Sequence, residues 1–213
     1  MAVQSSEAII LRTYPLREAD VIVSYLARDA GKLRGVARGA RKPKNRFGAG
    51  LQRLSYVRML YYHRENRELD TLDSCELIRS PLTGEVDYEM TVVLDFIAEA
   101  SEHLLPPLEA NERFFRLLLA VTDHLRINGR AALWPAQVYY SLWAVKLGGF
   151  LPPLELPEED RAVAEEMLRT PVSGLGERDW TRQTAKILRR ALVGLIEEHI
   201  ERKLVTAQYL EAI

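Results

Sequence analysis

The spacing of apolar residues divides the chain near residue 80. Before this point the apolar positions fall in short runs of β-branched or alternating character, which predict strands at 8–11, 21–26, 32–38, 54–62 and 69–78. Glycine-containing turns separate several of these runs. Five short strands within 80 residues are typical of a small all-β barrel or sandwich, and the OB-fold is the leading candidate of that size.

After residue 80 the apolar residues recur every three or four positions, which predicts helices at 85–105, 112–127, 131–147, 158–169 and 181–202. The second predicted helix is apolar around most of its circumference, so we expect it at the centre of the helical domain. The first predicted helix is expected to expose its acids, which are Asp87, Asp95, Glu99 and Glu102. The sequence thus predicts an α+β protein with an all-β OB-fold barrel at 1–80 and an all-α helical domain at 81–213.

Charge is divided in the same way as the apolar pattern. The 213 residues have a net charge of −1, but residues 1–80 contain 15 Lys and Arg against 9 Asp and Glu, and residues 81–213 contain 14 against 21. Salt screens charges beyond about 8–10 Å, so local charge decides which partners are attracted. The predicted barrel is therefore the part of the chain expected to attract a polyanion.

Basic residues concentrate on the third predicted strand and the loop that follows it. Strand alternation places three of them on one face, and the loop adds four, so that we predict DNA contacts by Lys32, Arg34, Arg38, Arg41, Lys42, Lys44 and Arg46. Seven cations within 15 residues suit a phosphate backbone, whose neutralisation releases counterions. A solvated strand face is the alternative interpretation.

Aromatic residues near this basic segment offer surfaces on which unpaired bases can stack. They are Phe47, Tyr56, Tyr61 and Tyr62. For each one separately, a position in the core is the favoured interpretation.

A second basic stripe is predicted on the last long helix. Lys186 and either Arg189 or Arg190 lie one and two turns after Arg182 and share its face. A solvated face with intrahelical ion pairs is the favoured interpretation. The functional alternative is a further DNA contact or a docking surface for an acidic peptide.

Residues with catalytic potential are scattered. The four histidines show no metal-ligand spacing, and the single cysteine, Cys75, is expected to be a buried small apolar residue. One cysteine allows neither an internal disulfide nor a zinc site with several thiolates. We predict no enzymatic activity, no metal and no cofactor, with a phosphodiester enzyme using the helical acids as a rival hypothesis. No apolar run is long enough for a membrane span and no signal peptide is visible, so a cytoplasmic protein is expected.

Several segments resemble the bacterial recombination mediator RecO. The strongest is the run GKLRGVARGARKPKNRFG at 31–48, supported by EAIILR at 7–12, READVIV at 17–23 and LDTLDSCELI at 69–78. The resemblance covers the first 80 residues well and the helical remainder more loosely. It implies an N-terminal OB-fold and a C-terminal helical domain.

The family resemblance also implies a function. It implies a nucleoid-associated protein that binds single- and double-stranded DNA and anneals complementary strands. The implied partners are RecR and the acidic C-terminal tail of single-strand-binding protein, with which the protein helps to load RecA. Many family members carry a four-cysteine zinc element, but residues 147–176 contain no cysteine. We therefore predict that this chain, unlike those family members, binds no zinc.

The acidic tail of single-strand-binding protein ends in an apolar residue, so its binding site requires an apolar pocket with a cationic rim. We predict Arg126 and Arg130 for the rim, with Phe114 or Leu118 lining the pocket. A position in the core or on the solvated surface is favoured for any one of these residues. A general OB-fold module that binds RNA or DNA, without mediator activity, remains the alternative function.

Overall fold

The computed structural model describes residues 3–63, 68–82 and 87–212. Its first part is a closed five-stranded barrel made of β1 (Val3–Leu16), β2 (Asp20–Ala27), β3 (Gly31–Ala37), β4 (Tyr56–Tyr62) and β5 (Asp70–Arg79). The strand order is β1-β2-β3-β5-β4. β3 and β5 pair in parallel, and the other neighbours are antiparallel. The predicted OB-like barrel is confirmed.

Strand alternation places the side chains as the sequence predicts. In β3 the side chains of Leu33 and Ala37 are buried in the barrel, while Lys32 is partly exposed and Arg34 is exposed on the other face. The segment 8–11 in β1 is buried on both faces, as its unbroken apolar run predicts. The orientation of the basic strand is therefore fixed by the barrel core.

The part of the chain that follows the barrel is helical. Its elements are α1 (Tyr88–Leu104), α2 (Glu112–Asn128), α3 (Leu133–Leu147), α4 (Glu158–Arg169), α5 (Lys186–His199) and the short α6 (Ala207–Leu210). Helix α4 has the predicted bounds. The most buried helix is α3, with eleven buried residues among fifteen, whereas the sequence favours α2 for the centre.

The predicted start of the last long helix at Thr181 is wrong. Ala185 has a left-handed backbone with φ 53°, which a right-handed helix cannot include, so α5 starts at Lys186. The helix ends at His199, before Glu201, which is also left-handed. The predicted end at Arg202 is therefore also too late.

The described residues form two compact units. One comprises Met1–Leu82 with Ser101–Phe115, and the other comprises Thr83–Ala100 with Arg116–Ile213. The predicted chain break at 64–67 and the predicted start of the first helix at Glu85 lie outside the described residues.

Polar contacts stabilise residues 147–176, the segment that contains no cysteine. Glu166 of α4 accepts hydrogen bonds from the Gly176 amide (2.7 Å) and from the Arg178 guanidinium (3.0 Å). The Trp143 indole of α3 donates to the Met167 carbonyl at 3.0 Å. A buried Val172 completes the packing of this segment. These contacts hold the end of α4 and the chain after it against α3.

Gly31→Ala tests the close approach of β3 to residues 107–109. Gly31 has φ 78°, and an added Cβ would lie 2.2 Å from the Glu109 carbonyl oxygen. We expect a loss of at least about 1–3 kcal/mol in unfolding free energy, from backbone strain alone. Gly129→Ala is the matched control, because Gly129 also has positive φ but an added Cβ there meets nothing within 4 Å. Equal losses measured by urea denaturation would contradict the role of the clash.

Cys75 gives a test of the barrel core. The thiol is buried, it donates a hydrogen bond to the Phe47 carbonyl at 3.3 Å, and burial raises its pKa to about 11. At pH 8 the thiolate fraction falls about a hundredfold for a pKa rise of two units, so Ellman's reagent should react far more slowly with folded than with urea-unfolded protein. Comparable rates in the two states would contradict this placement.

Candidate nucleic-acid interface

The loop after β3 carries a cluster of exposed cations. Within the described residues, no acidic side chain forms an ion pair with four of its basic residues, Arg38, Arg41, Lys42 and Lys44, all of which are exposed. Unpaired cations on one short segment produce a local positive potential. This loop is therefore the part of the predicted site that best suits a phosphate backbone.

Backbone hydrogen bonds fix the start of this loop. Gly39 has φ 69°, and its amide donates to the Asp20 carboxylate at 2.8 Å. The Arg41 amide donates to the Ala19 carbonyl at 3.0 Å. The loop is thus tied to the β1–β2 turn before its basic side chains reach solvent.

Asn45 and Phe47 fix the end of the loop. The Asn45 side-chain oxygen accepts hydrogen bonds from the Phe47 and Gly48 amides, both at 2.9 Å, and its amide group donates to the Lys42 carbonyl at 3.0 Å. The Phe47 ring is buried in the barrel core. Because both ends are held, little backbone order has to be gained when the loop binds a ligand.

Three of the seven predicted contact residues are engaged by acids or backbone of this chain. Arg46 forms an ion pair with Asp73 at 2.8 Å. Arg34 pairs with Glu102 at 2.8 Å, and the Lys32 ammonium donates to the Glu102 carbonyl at 2.5 Å. Alternation correctly places Lys32 and Arg34 on one face, but a carboxylate of this chain lies against that face.

Glu102 is the residue that sequence analysis missed. It is 2% exposed, although the sequence predicts it on the exposed face of α1. Besides Arg34, its carboxylate accepts hydrogen bonds from Ser24 of β2 at 2.5 Å and from Tyr14 of β1 at 3.4 Å. A buried carboxylate needs such donors to offset its lost hydration. One acid therefore connects three strands of the barrel.

The titration of the surrounding groups reflects this network. Burial lowers the pKa of Lys32, against the opposing effect of the Glu102 charge. The hydrogen bond to Glu102 raises the pKa of Arg34, and burial raises that of Tyr14. The guanidinium carbons of Arg12 and Arg34 lie 5.2 and 5.7 Å from the Tyr14 ring centroid. Arg34 is thus held by charge and by ring contact together.

The aromatic residues near the loop belong mostly to the protein interior. Phe47 and Tyr61 are buried in the barrel core, and Tyr61 packs edge-on against Tyr25 with ring centroids 6.0 Å apart. Tyr56 packs against Phe115 at 6.1 Å. The core interpretation is confirmed for Phe47 and Tyr61, while Tyr62 is partly exposed.

The second basic stripe is not a single helix face. Arg182 lies before α5, and Lys186 is its first residue. Arg189 is 1% exposed, so it is not part of an exposed basic face, and Arg190 forms an ion pair with Glu211 at 2.8 Å. Arg182 is exposed, but the left-handed residue at 185 keeps it off α5, so it does not share a helix face with Lys186. Arg189 lies on the buried side of α5, so the predicted shared face is wrong for Arg189 as well.

The predicted peptide pocket is not open where it was expected. Phe114 and Leu118 lie on the buried side of α2, with exposures of 3% and 0%, so neither offers an apolar surface to solvent. Arg130 pairs with Glu89 at 2.5 Å and Asp87 at 3.6 Å, and Arg126 lies 3.5 Å from Asp123. The two arginines are partly exposed or exposed, but each has an acid beside it.

Glu99 of α1 is also buried, whereas the sequence predicts it on the exposed face of that helix. Its carboxylate accepts hydrogen bonds from the Val205 amide (3.0 Å), the Thr206 amide (2.8 Å) and the Thr206 hydroxyl (2.6 Å). These contacts hold the C-terminal segment in place. Among the described residues, no group of three His, Cys, Asp or Glu side chains is arranged to hold a metal ion.

Glu102→Gln tests the carboxylate network. Loss of the charge leaves Arg34 without its acid and places a poorly matched amide against Ser24, so unfolding free energy should fall by about 2–3 kcal/mol. Glu76→Gln is the matched control in the same unit, because its pair with Arg58 is exposed on both sides and is worth less than about 1 kcal/mol. Equal effects in urea denaturation would contradict a special role for Glu102.

Comparison with known proteins finds similarity over the barrel and over the whole chain. A family model described as "Recombination protein O N terminal" matches residues 1–81. The chain is 40% identical to the DNA repair protein RecO of Koribacter versatilis over 99% of both chains. It is 38% identical to the DNA repair protein RecO of Frankia casuarinae over 70% of this chain and 61% of that protein, and 36% identical to the one of Symbiobacterium thermophilum over 56% and 46%.

These relatives indicate a role in DNA repair and recombination, which agrees with the prediction that the protein is not an enzyme. In the described part of the chain, no helix has the length and apolar character needed to cross a membrane. The full-length similarity and the match over the barrel lead to one assignment. The chain belongs to the RecO family of DNA repair proteins.

Proposed function

We propose that this protein is a DNA-binding recombination mediator that anneals complementary single strands. The observation that carries the proposal is the loop 38–44, whose four exposed cations have no acidic partner among the described residues. In a RecO-family chain with an OB-like barrel, such a loop suits the DNA backbone. In this proposal Lys32, Arg34 and Arg46 shape the surface rather than serve as primary phosphate contacts.

Binding through this loop is expected to be independent of sequence. Phosphate contacts position a strand but do not read its bases, and Phe47 and Tyr61 are buried away from it. Annealing follows if the loop screens the charges of two strands that approach each other. Single- and double-stranded DNA are both ligands in this proposal, because each presents the same phosphates.

The proposed partners are RecR, the tail of single-strand-binding protein and, through them, RecA. With them the protein helps to load RecA on single-stranded DNA coated by single-strand-binding protein, in the nucleoid of the cytoplasm. The support for these partners is membership of the RecO family. For the tail, Arg126 and Arg130 remain the proposed contacts, and the burial of Phe114 and Leu118 favours more exposed apolar residues for the lining of the pocket.

Two other functions make different demands on the molecule. A phosphodiester enzyme using the helical acids would need free carboxylates, but Glu99 and Glu102 are buried and hydrogen-bonded. A general OB-fold module that binds RNA or DNA would use the same loop without annealing. Comparison of RNA with DNA affinity, and of annealing with binding, separates that module from the mediator.

The loop variant Arg38→Ala, Arg41→Ala, Lys42→Ala, Lys44→Ala tests the proposal. Four neutralised phosphates on a single strand give a slope of log K against log salt of about −3, and the variant should move this slope toward zero. At low salt its affinity should fall by about tenfold to a hundredfold. Annealing of complementary oligonucleotides coated with single-strand-binding protein should be lost together with binding.

The matched control removes four exposed cations elsewhere, by Arg113→Ala, Arg116→Ala, Arg169→Ala and Arg202→Ala. It changes the net charge equally, so a loop-specific site predicts near-normal binding and annealing. Equal losses in the two variants would contradict the loop as the site. Normal DNA binding by the unchanged protein without any annealing of coated strands would instead favour the general binding module.

A further inference from the structure

A second candidate site lies in the unit that contains Arg116–Ile213, between α5 and the C-terminal segment. It is a cavity of about 310 Å³. Its charged lining comprises Arg189, Arg190 and Glu197 of α5, Lys203, and Glu211, which follows α6. Glu197 is paired with Lys203 at 2.5 Å, which offsets its charge. Leu210 supplies part of the apolar wall. The cavity is distinct from the basic loop, which is in the other unit.

Arg189 is the unusual residue of this cavity. Its side chain is almost fully buried, and its guanidinium carbon lies 4.3 Å from the centroid of the Trp134 ring. One terminal nitrogen, Nη1, donates to the Arg182 carbonyl at 3.2 Å. The other, Nη2, is buried and has no hydrogen-bond partner among the described residues, in a side chain that lines the cavity. A buried charged donor without an acceptor is costly and points to an anion.

The chain already supplies one anion, but it satisfies only one arginine. The two Glu211 carboxylate oxygens accept from Arg190, at 2.8 Å from Nη2 and 3.3 Å from Nε. The shorter approach to Arg189 Nη2 is 3.9 Å, which is too long for a hydrogen bond. In the position where it binds Arg190, the Glu211 carboxylate therefore stays beyond hydrogen-bond distance of Arg189 Nη2.

We propose that this cavity is a binding site for a phosphate group and that Glu211 is its displaceable occupant. A phosphate has more oxygens than a carboxylate, and they are arranged around a tetrahedron. Two of them can accept from Arg190 while a third reaches Arg189 Nη2. Arginine pairs of this kind are common in phosphate recognition, because the guanidinium donors match the spacing of phosphate oxygens.

Glu211 is placed so that it can leave without disturbing the fold. Its side chain is 38% exposed, and it follows a helix of only four residues. The C-terminal segment is anchored before that helix, by the hydrogen bonds of Val205 and Thr206 to Glu99. At Gly194 the α5 wall has no side chain, and an added Cβ would meet nothing within 4 Å. This leaves room for an entering ligand.

The phosphate can come from two sources, the DNA backbone or a free phosphate such as a nucleotide. The DNA source deepens the proposed function and rests on it, since it adds a second contact to the strand held by the loop. The free-phosphate source does not depend on DNA binding. The first experiment tests whether the cavity binds phosphate at all, and the second distinguishes DNA from free phosphate.

The first test uses full-length protein and inorganic phosphate as the probe, with chloride at matched ionic strength. Removing the internal competitor by Glu211→Gln should tighten phosphate binding about fivefold, the gain expected when an exposed ion pair no longer occupies the site. Arg190→Gln should abolish this binding. Binding is measured by calorimetry and by the phosphate-dependent rise in melting temperature.

Glu165→Gln and Arg169→Gln are the matched controls, because this exposed pair on α4 is not part of the cavity lining. Both should respond to phosphate as the unchanged protein does. Identical phosphate responses for Glu211→Gln, Arg190→Gln and the two controls would overturn the site. Arg190 and Glu211 are exposed enough that their variants should fold, so the test does not require a change at buried Arg189.

The second test identifies the source and uses a dT oligonucleotide in the background of the loop variant. If residual oligonucleotide binding rises with Glu211→Gln and falls with Arg190→Gln, the site takes backbone phosphate. If only inorganic phosphate and mononucleotide binding respond, the site takes free phosphate. A loop variant that binds DNA normally would contradict the proposed function, while the phosphate response of Glu211→Gln would still stand on its own.

Discussion

The buried carboxylate of Glu102 is the interaction on which the barrel surface depends. An ionised acid at 2% exposure is stable only when donors replace its lost water, and Arg34, Ser24 and Tyr14 are those donors. They come from three consecutive strands, so the acid also holds their register at one place. The same contacts withdraw part of the positive charge from the strand face. The carboxylate therefore sets both the packing of this surface and its electrostatics.

This division of charge has a consequence for the candidate site. Cations that are bound by acids of the chain are partly neutralised, and they gain less from a phosphate than free cations do. The loop 38–44 differs because its backbone is fixed by Asp20, Ala19 and Asn45 while its basic side chains remain exposed. A rigid backbone with free charges favours binding because the ordering cost is already met by folding. The loop is thus better suited to DNA than the strand that precedes it.

Sequence analysis predicted what depends on local patterns. Strand alternation oriented Lys32 and Arg34 correctly, and the helical period located α4 to the residue. It failed where the partner lies far along the chain. Glu102 pairs with Arg34 across 68 positions, and Glu99 binds Thr206 across 107. Periodicity shows that an acid lies among apolar residues, but only the tertiary structure shows whether it is solvated or buried with donors. The left-handed Ala185, which shortens α5, has no signal in residue type either.

Glu102 and Glu211 both pair with arginines, but only Glu102 satisfies all the donors around it. Glu102 is buried, and its donors approach from several directions, so the network is closed and a ligand has nothing to add. Glu211 is partly exposed and binds Arg190 with both oxygens, but it lies 3.9 Å from Nη2 of buried Arg189, which has no hydrogen-bond acceptor among the described residues. A closed network stabilises a fold, whereas an incomplete one beside a cavity still has free energy to gain from an anion. The same chemistry thus serves packing in one unit and ligand recognition in the other.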